Sequence, residues 1–310
     1  MLSRRTFIQG MAATAVASAA QVKGAQSSRP IRLGGPAFAK SDDPADIAQA
    51  HLDLGYRAAY APSVKLEETD KIKAIVKEFA DRDIVIAEVG AWVNLLASDP
   101  ATRKKNLDFV TENLALAEAL GARCCVDIAG SYHPTVWYGP HPDNFSRRFF
   151  DETVENCRKI IDAVKPTRTK FSIEMMGWCM PSTPDQYLEL IRAVDREAFG
   201  VHVDVCNMIN SPERIYNNAT LIRECFEKLG KWAVSCHAKD VAWVPDMQVN
   251  FKEVIPGTGE LDYGAYLSEL AKLPNDVPLM MEHLAKPEEY KQAADYIRGV
   301  AGENGIAISS

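Results

Sequence analysis

Three carboxylates and one imidazole each close a short apolar run in the second half of the chain. The runs are Lys170-Phe-Ser-Ile-Glu174, Val201-His-Val-Asp204, Val234-Ser-Cys-His237 and Leu279-Met-Met-Glu282. Charged groups at the ends of buried strands pack poorly, because an ion loses hydration there unless something pairs with it. Glu174, Asp204, His237 and Glu282 together form a hard ligand set for one divalent cation. Mn²⁺, Mg²⁺, Zn²⁺ and Fe²⁺ all suit oxygen and imidazole donors, with Mn²⁺ or Zn²⁺ favoured.

Four protein ligands on a six-coordinate ion leave two positions for substrate oxygens. The adjacent oxygens of a hydroxy-ketone fit those positions, and the ion then polarises the carbonyl and stabilises an enediolate. Glu174 and Glu282 are the candidates for moving the proton, as acid and base. One base acting alone suits isomerisation, and two bases on opposite faces suit epimerisation. The expected activity is a metal-dependent isomerase or epimerase of a monosaccharide or keto-sugar. Loss of a leaving group from the same enediolate would make it a lyase or dehydratase of keto-sugars or 3-keto-glycosides. A non-catalytic sugar-binding barrel is the third reading, and it would not need two such carboxylates.

The ligands converge only if their runs lie side by side and point the same way. From residue 31 onward, eight β-like runs alternate with eight amphipathic stretches. The runs are 31–34, 58–60, 84–88, 124–128, 170–174, 200–204, 233–237 and 278–282. The helical stretches are 45–54, 69–82, 101–120, 144–164, 184–194, 212–228, 263–273 and 287–300. Thr183-Pro184 and Ser211-Pro212 place a cap before proline at a helix start, and Gly121 and Gly230 suit helix ends. This alternation predicts an α/β fold with a parallel sheet. Eight units in about 280 residues fit a (β/α)8 TIM barrel, usually about 250 residues. An open doubly wound sheet is the alternative, but no GxGxxG turn follows the first run. The longest irregular stretches, 131–143 and 242–262, both come after strands and would overhang the barrel mouth.

Basic residues total 35 and acidic residues 42, giving a net charge of −7. The first 24 residues hold three basic side chains and no acidic one, so the remainder carries 32 against 42, or −10. An acidic body argues against nucleic-acid binding. Ser3-Arg4-Arg5-Thr6-Phe7-Ile8 followed by the apolar 8–20 stretch resembles a twin-arginine export signal. Residues 1–25 are therefore expected to be cleaved, leaving 26–310 as one exported, periplasmic catalytic domain with no stable membrane anchor. A homo-oligomer is left open. The seven cysteines show no CxxC pair and predict no disulfide framework.

Further residues are candidates for substrate contact. His202 alternates with Asp204 and shares its face of the strand. Lys239 lies two residues beyond His237, with Asp240 expected to pair with Lys239 or orient His237. Glu88 ends the third run. Asn207, His133 and Trp178 fall in loops after strands, as do Trp92, Trp137 and Trp243, and aromatic rings suit the C–H faces of sugars.

The strand-end set, with His202-Val-Asp204-Val-Cys-Asn207, His237-Ala-Lys239-Asp240 and Gly257-Thr-Gly259-Glu-Leu-Asp262, resembles the xylose isomerase-like TIM barrel superfamily. The likeness covers residues 31–300 and points to the sugar phosphate isomerase/epimerase branch, with its tagatose 3-epimerase-like and inosose dehydratase-like members. It implies metal ligands at the ends of strands five to eight, here Glu174, Asp204, His237 and Glu282, with the two glutamates as acid and base. The family's epimerases and nucleases commonly carry His three residues after the metal-binding Asp, where this chain has Asn207. The extra His ligands of the three-zinc nucleases have no counterpart either, which argues against that activity. No Gly-rich phosphate cradle is present to support a phosphorylated substrate.

Overall fold

The computed structural model describes residues 29–39 and 41–310. The expected export signal at 1–25 lies outside the described residues. Eight strands close a parallel barrel: β1 (Leu33–Gly34), β2 (Ala58–Tyr60), β3 (Val85–Gly90), β4 (Cys124–Asp127), β5 (Lys170–Glu174), β6 (Phe199–Val203), β7 (Ala233–Ala238) and, after a hairpin, β10 (Leu279–Met281). Closure is made by β1, whose Leu33 is in register with Leu279 of β10 and whose Gly34 is in register with Ala58 of β2. That closure rules out the open sheet. A Cβ at Gly34 would stand only 2.3 Å from the Ala58 carbonyl oxygen, so glycine permits the approach.

The helices α1 (Pro44–Asp53), α2 (Thr69–Asp81), α3 (Pro100–Leu120), α4 (Arg147–Val164) and α5 (Pro184–Val194) come after the first five strands in turn. Their starts reflect local chemistry. Asp43, Asp99, Ser146 and Thr183 each accept a backbone N–H in the first turn. The stretch expected as one helix over 212–228 is two, α6 (Pro212–Tyr216) and α7 (Asn218–Leu229), broken at Asn217. Helices α8 (Tyr263–Leu270) and α9 (Pro287–Glu303) complete the outer ring. All seven cysteines are buried and free, and no described helix is long and apolar enough to cross a membrane.

The stretch 242–262, expected to be irregular, contains an antiparallel hairpin of β8 (Asp240–Trp243) and β9 (Phe251–Val254). Asp240 anchors the loop between β9 and α8, and does not touch Lys239 or His237 as expected. Its carboxylate accepts four backbone N–H groups, from Val241 and Leu261 at one oxygen and Gly257 and Gly259 at the other, at 2.8–3.0 Å. The glycines are needed here. Gly257 has φ +93° with its Cβ position 2.5 Å from the Tyr296 ring, and a Cβ on Gly259 would meet Asp240 Oδ1 at 2.4 Å. Asp240→Asn turns an NH₂ toward two of those donors and should cost about 3 kcal/mol, readable in a denaturant melt.

Asp127, at the end of β4, is fully buried. One carboxylate oxygen accepts from Val93 and Ile128 N–H groups, while the other has no partner among the described residues. Burial pushes this carboxyl well above the usual range, against those two hydrogen bonds, and the Glu174 charge adds to the rise. An acid whose folded pKa is raised is neutral in the fold and ionised in the unfolded chain. It therefore costs stability increasingly as pH rises through the unfolded value near 3.9. Asp127→Asn should match the wild type at acid pH and gain on the order of 1 kcal/mol at pH 7, a gap that thermal melts across pH would reveal.

Candidate metal centre

Alternation along the strands stacks two polar layers inside the barrel. The upper layer holds Glu174, Asp204, His237 and Glu282, and the layer beneath holds Glu88, His202 and Ser235. The register pairs Glu174 with His202 of the lower layer and His237 with Met280, so it is the tilt and stagger of the barrel strands that carry the upper four to one height. One ligand atom from each upper residue lies within 4.8 Å of all the others. His237 Nδ1 is the hub, at 2.8 Å from Glu282 Oε1, 3.0 Å from Glu174 Oε1 and 3.4 Å from Asp204 Oδ2.

Lys239 joins the cluster from the segment between β7 and the hairpin. Its ammonium is 2.5 Å from Glu282 Oε1, 2.9 Å from Asp204 Oδ2 and 3.7 Å from Glu174 Oε1. Burial would discharge it, but Asp204, Glu174 and Glu282 outweigh burial and hold its pKa well above the ordinary lysine value. With His237 neutral, as a metal ligand must be, the three carboxylates exceed the ammonium by two negative charges. Asp204 Oδ2 and Glu282 Oε1, though close to that ammonium, make no hydrogen bond of good geometry. Two buried, incompletely satisfied oxygens and two surplus charges are what a divalent cation would satisfy, so the residues fit the expected metal.

The glutamates differ electrically. Burial dominates at Glu174 and raises its carboxyl despite Lys239 and His237. At Glu282 burial is outweighed by His237 and Lys239, which hold the carboxyl low. Asp204 is held well below the usual range, because Lys239 and His237 overcome its burial.

Glu88 and His202 are candidates from the sequence for substrate contact, with His202 read equally as a partner behind the ligands or a satisfied interior histidine, and their burial fits the interior reading for both. They are 1% and 0% exposed and lie under the cluster, closed off from the mouth. Strand β3 runs on to Gly90, so Glu88 is inside the strand and not at its tip. Its carboxylate accepts from Ser235 Oγ and lies 2.9 Å from His202 Nε2 and 3.3 Å from His237 Nε2. A carboxylate on the far nitrogen of a ligating imidazole fixes its tautomer and aim. Glu88 thus leaves Nδ1 of His237 free to face the candidate cation site. Glu88 itself stays ionised, because His202 and His237 outweigh the burial that would protonate it.

A cavity of about 530 Å³ opens onto the cluster, with Glu174, Glu282, Asn207 and Lys239 in its wall. Asn207 uses its amide within the chain, donating to Glu174 Oε1 at 3.1 Å and to the Met175 carbonyl at 3.0 Å. Trp178 is 58% exposed and does not line the cavity, and His133 lines a neighbouring cleft instead. Trp243 sits out on the hairpin. The expected aromatic rim reduces to Trp92 and Trp137, with Tyr138 added. Sequence reasoning missed Glu253 and His283. Both line the cavity, with His283 Nδ1 at 3.2 Å from Glu253 Oε2 and Nε2 at 3.4 Å from Glu282 Oε2. His283 has φ +59°, a conformation no residue pattern announces for histidine.

Comparison with known proteins agrees with this architecture. A probable L-ribulose-5-phosphate 3-epimerase of Mycoplasma pneumoniae is 23% identical over 190 residues, which is 61% of this chain and 56% of that protein. The chain thus spans little more than half the length of this relative. A D-psicose 3-epimerase from Clostridium cellulolyticum, solved with D-tagatose, superposes with a TM-score of 0.62 at 17% identity over 87% of this chain and 99% of the other. A probable 3-DHS dehydratase of Bacillus anthracis gives a TM-score of 0.63 at 14% identity, covering 87% and 98%. A Mycobacterium smegmatis protein of the same fold, solved with magnesium, gives 0.60 at 16%, covering 89% and 97%. The sequence profile of the xylose isomerase-like TIM barrel matches residues 48–300. With the closed eight-stranded barrel, that match makes the chain a member of the xylose isomerase-like TIM barrel family.

Proposed function

We propose that the chain is a divalent-metal-dependent isomerase or epimerase of a monosaccharide or keto-sugar. The observation that carries this is the meeting of Glu174, Asp204, His237 and Glu282 within 4.8 Å at the mouth of the barrel. These four residues would hold the cation, with Mn²⁺ or Zn²⁺ favoured, and when bound it supplies polarisation of a substrate carbonyl. The protein's own side chains do the rest. Glu174 and Glu282 both face the cavity and serve as the proton-moving pair. Lys239 keeps its charge in the cavity wall, and its ammonium would offset negative charge developing on a substrate oxygen. Asn207 holds Glu174 in place from one side, while Glu88 aims His237 from beneath.

The same arrangement can drive elimination where the substrate carries a leaving group beside the carbonyl, and the dehydratase of shared fold keeps that second reading in view. Incubating ketoses, inososes and 3-keto-glycosides with metal-loaded protein in D₂O, followed by NMR, tests both. Isomerisation or epimerisation places deuterium on a carbon beside the carbonyl without loss of any group. Elimination yields an unsaturated or deoxy product. Absence of deuterium incorporation and of product across all three classes would overturn the proposal.

A further inference from the structure

We infer that the site takes a glycoside, with a second sugar ring seated in a cleft beside the metal cavity. This rests on the sugar reading of the cluster. The second cleft measures about 400 Å³, against about 530 Å³ for the metal cavity. Each falls within the range of roughly 300–1,000 Å³ in which pockets bury a small molecule. Trp92 and Trp137 belong to the walls of both. The two spaces therefore meet along an aromatic ridge, and a ligand held at the cluster can extend over it.

The ridge and the far wall are built firmly. A Cβ on Gly90 would come within 2.5 Å of Trp92 Nε1, so that indole lies directly on the glycine backbone. A Cβ on Gly139 would come within 2.8 Å of His133 Cγ, so that ring is seated the same way. Trp137 is braced edge-on by Tyr138 at 5.3 Å. Trp92 and Trp137 remain 40% and 37% exposed, with apolar surface available for the C–H face of a sugar ring.

The polar groups of the cleft fit a neutral, hydroxyl-rich ligand. His133 Nδ1 accepts backbone N–H groups from Thr135 and Val136 at 3.2 and 2.9 Å. The proton must then be on Nε2, which makes that nitrogen a donor. Asp99 is held in its ionised form by Thr102, whose hydroxyl and N–H both donate to it, and offers an acceptor. Ser98 adds a hydroxyl. No lysine or arginine is among the described lining residues, so the cleft lacks the cations that a phosphorylated or carboxylated aglycone would need.

The test is saturation-transfer NMR on the full chain loaded with Mg²⁺, using lactulose, isomaltulose and D-fructose as probes. Both disaccharides leave the fructosyl carbonyl carbon and its nearest neighbours unsubstituted, and they differ in linkage. At least one should show saturation at both rings. In Ser98→Trp, and separately in Thr135→Trp, the signal at the second ring should be lost while the fructosyl signal persists. Both positions are exposed, and an unchanged thermal melt would confirm folding. A second ring that stays silent with both disaccharides, or that both filling variants leave unaltered, overturns the inference. Saturation of D-fructose alone would do the same while leaving the reading of the cluster intact. Saturation of only the second ring would instead support the cleft and count against the cluster as a sugar site.

Discussion

Glu282→Gln should slow deuterium incorporation into substrate by about 10²-fold or more at saturating metal, with the fold unchanged. The amide keeps the shape of the side chain and one oxygen donor. What it loses is the ability to accept a proton. Glu282 is well placed for that role because His237 and Lys239 hold its carboxyl low, and its side chain retains 12% exposure at the cavity while Asp204 has none. Glu174→Gln should have an effect of similar size, since Glu174 faces the same cavity. Rates would be read by NMR in D₂O over a metal titration, which separates weaker ion binding from lost proton transfer. Near-wild-type exchange in both variants would remove these residues as the acid/base pair.

Glu88→Gln should weaken divalent-metal binding by about 10–100-fold, although Glu88 is not expected to touch the ion. Its carboxylate faces both buried imidazoles and takes the Ser235 hydroxyl. An amide in its place presents donors as well as an acceptor, so the His237 tautomer that leaves Nδ1 free is no longer enforced. Calorimetric titration with Mn²⁺ reads the effect directly, and a thermal melt of the metal-free variant separates it from instability. A lower melting temperature with unchanged metal affinity would mean that Glu88 serves the barrel core alone.

The strands and the cluster are legible in the chain because both arise from one pattern. Short apolar runs suit strands buried on two faces, and the charged residue closing each run marks the mouth. Depth is harder to read. Glu88 closes its apolar run as Glu174 does, yet β3 continues two residues past it and draws it inside the barrel. His202 does share the face of Asp204, but two residues along a strand means one layer deeper. Loop residues depend on contacts that no local pattern encodes. Asn144 ties three loop positions together, donating to Ser131 Oγ and to the carbonyls of Gly139 and Trp178. That knot helps set His133 beside the second cleft and leaves Trp178 outside both. His283 reaches the cavity only through its left-handed backbone, and Glu253 only through a hairpin in a stretch expected to be irregular.

The central claim is that Glu174, Asp204, His237 and Glu282 hold one cation. Metal analysis and Mn²⁺ titration of the wild type beside Asp204→Asn and His237→Ala address it most directly. The expected result is about one divalent ion per wild-type chain, with affinity lost by at least about 10²-fold in both variants. A wild type that takes up no divalent ion, or variants that bind it as tightly as the wild type does, would contradict the account.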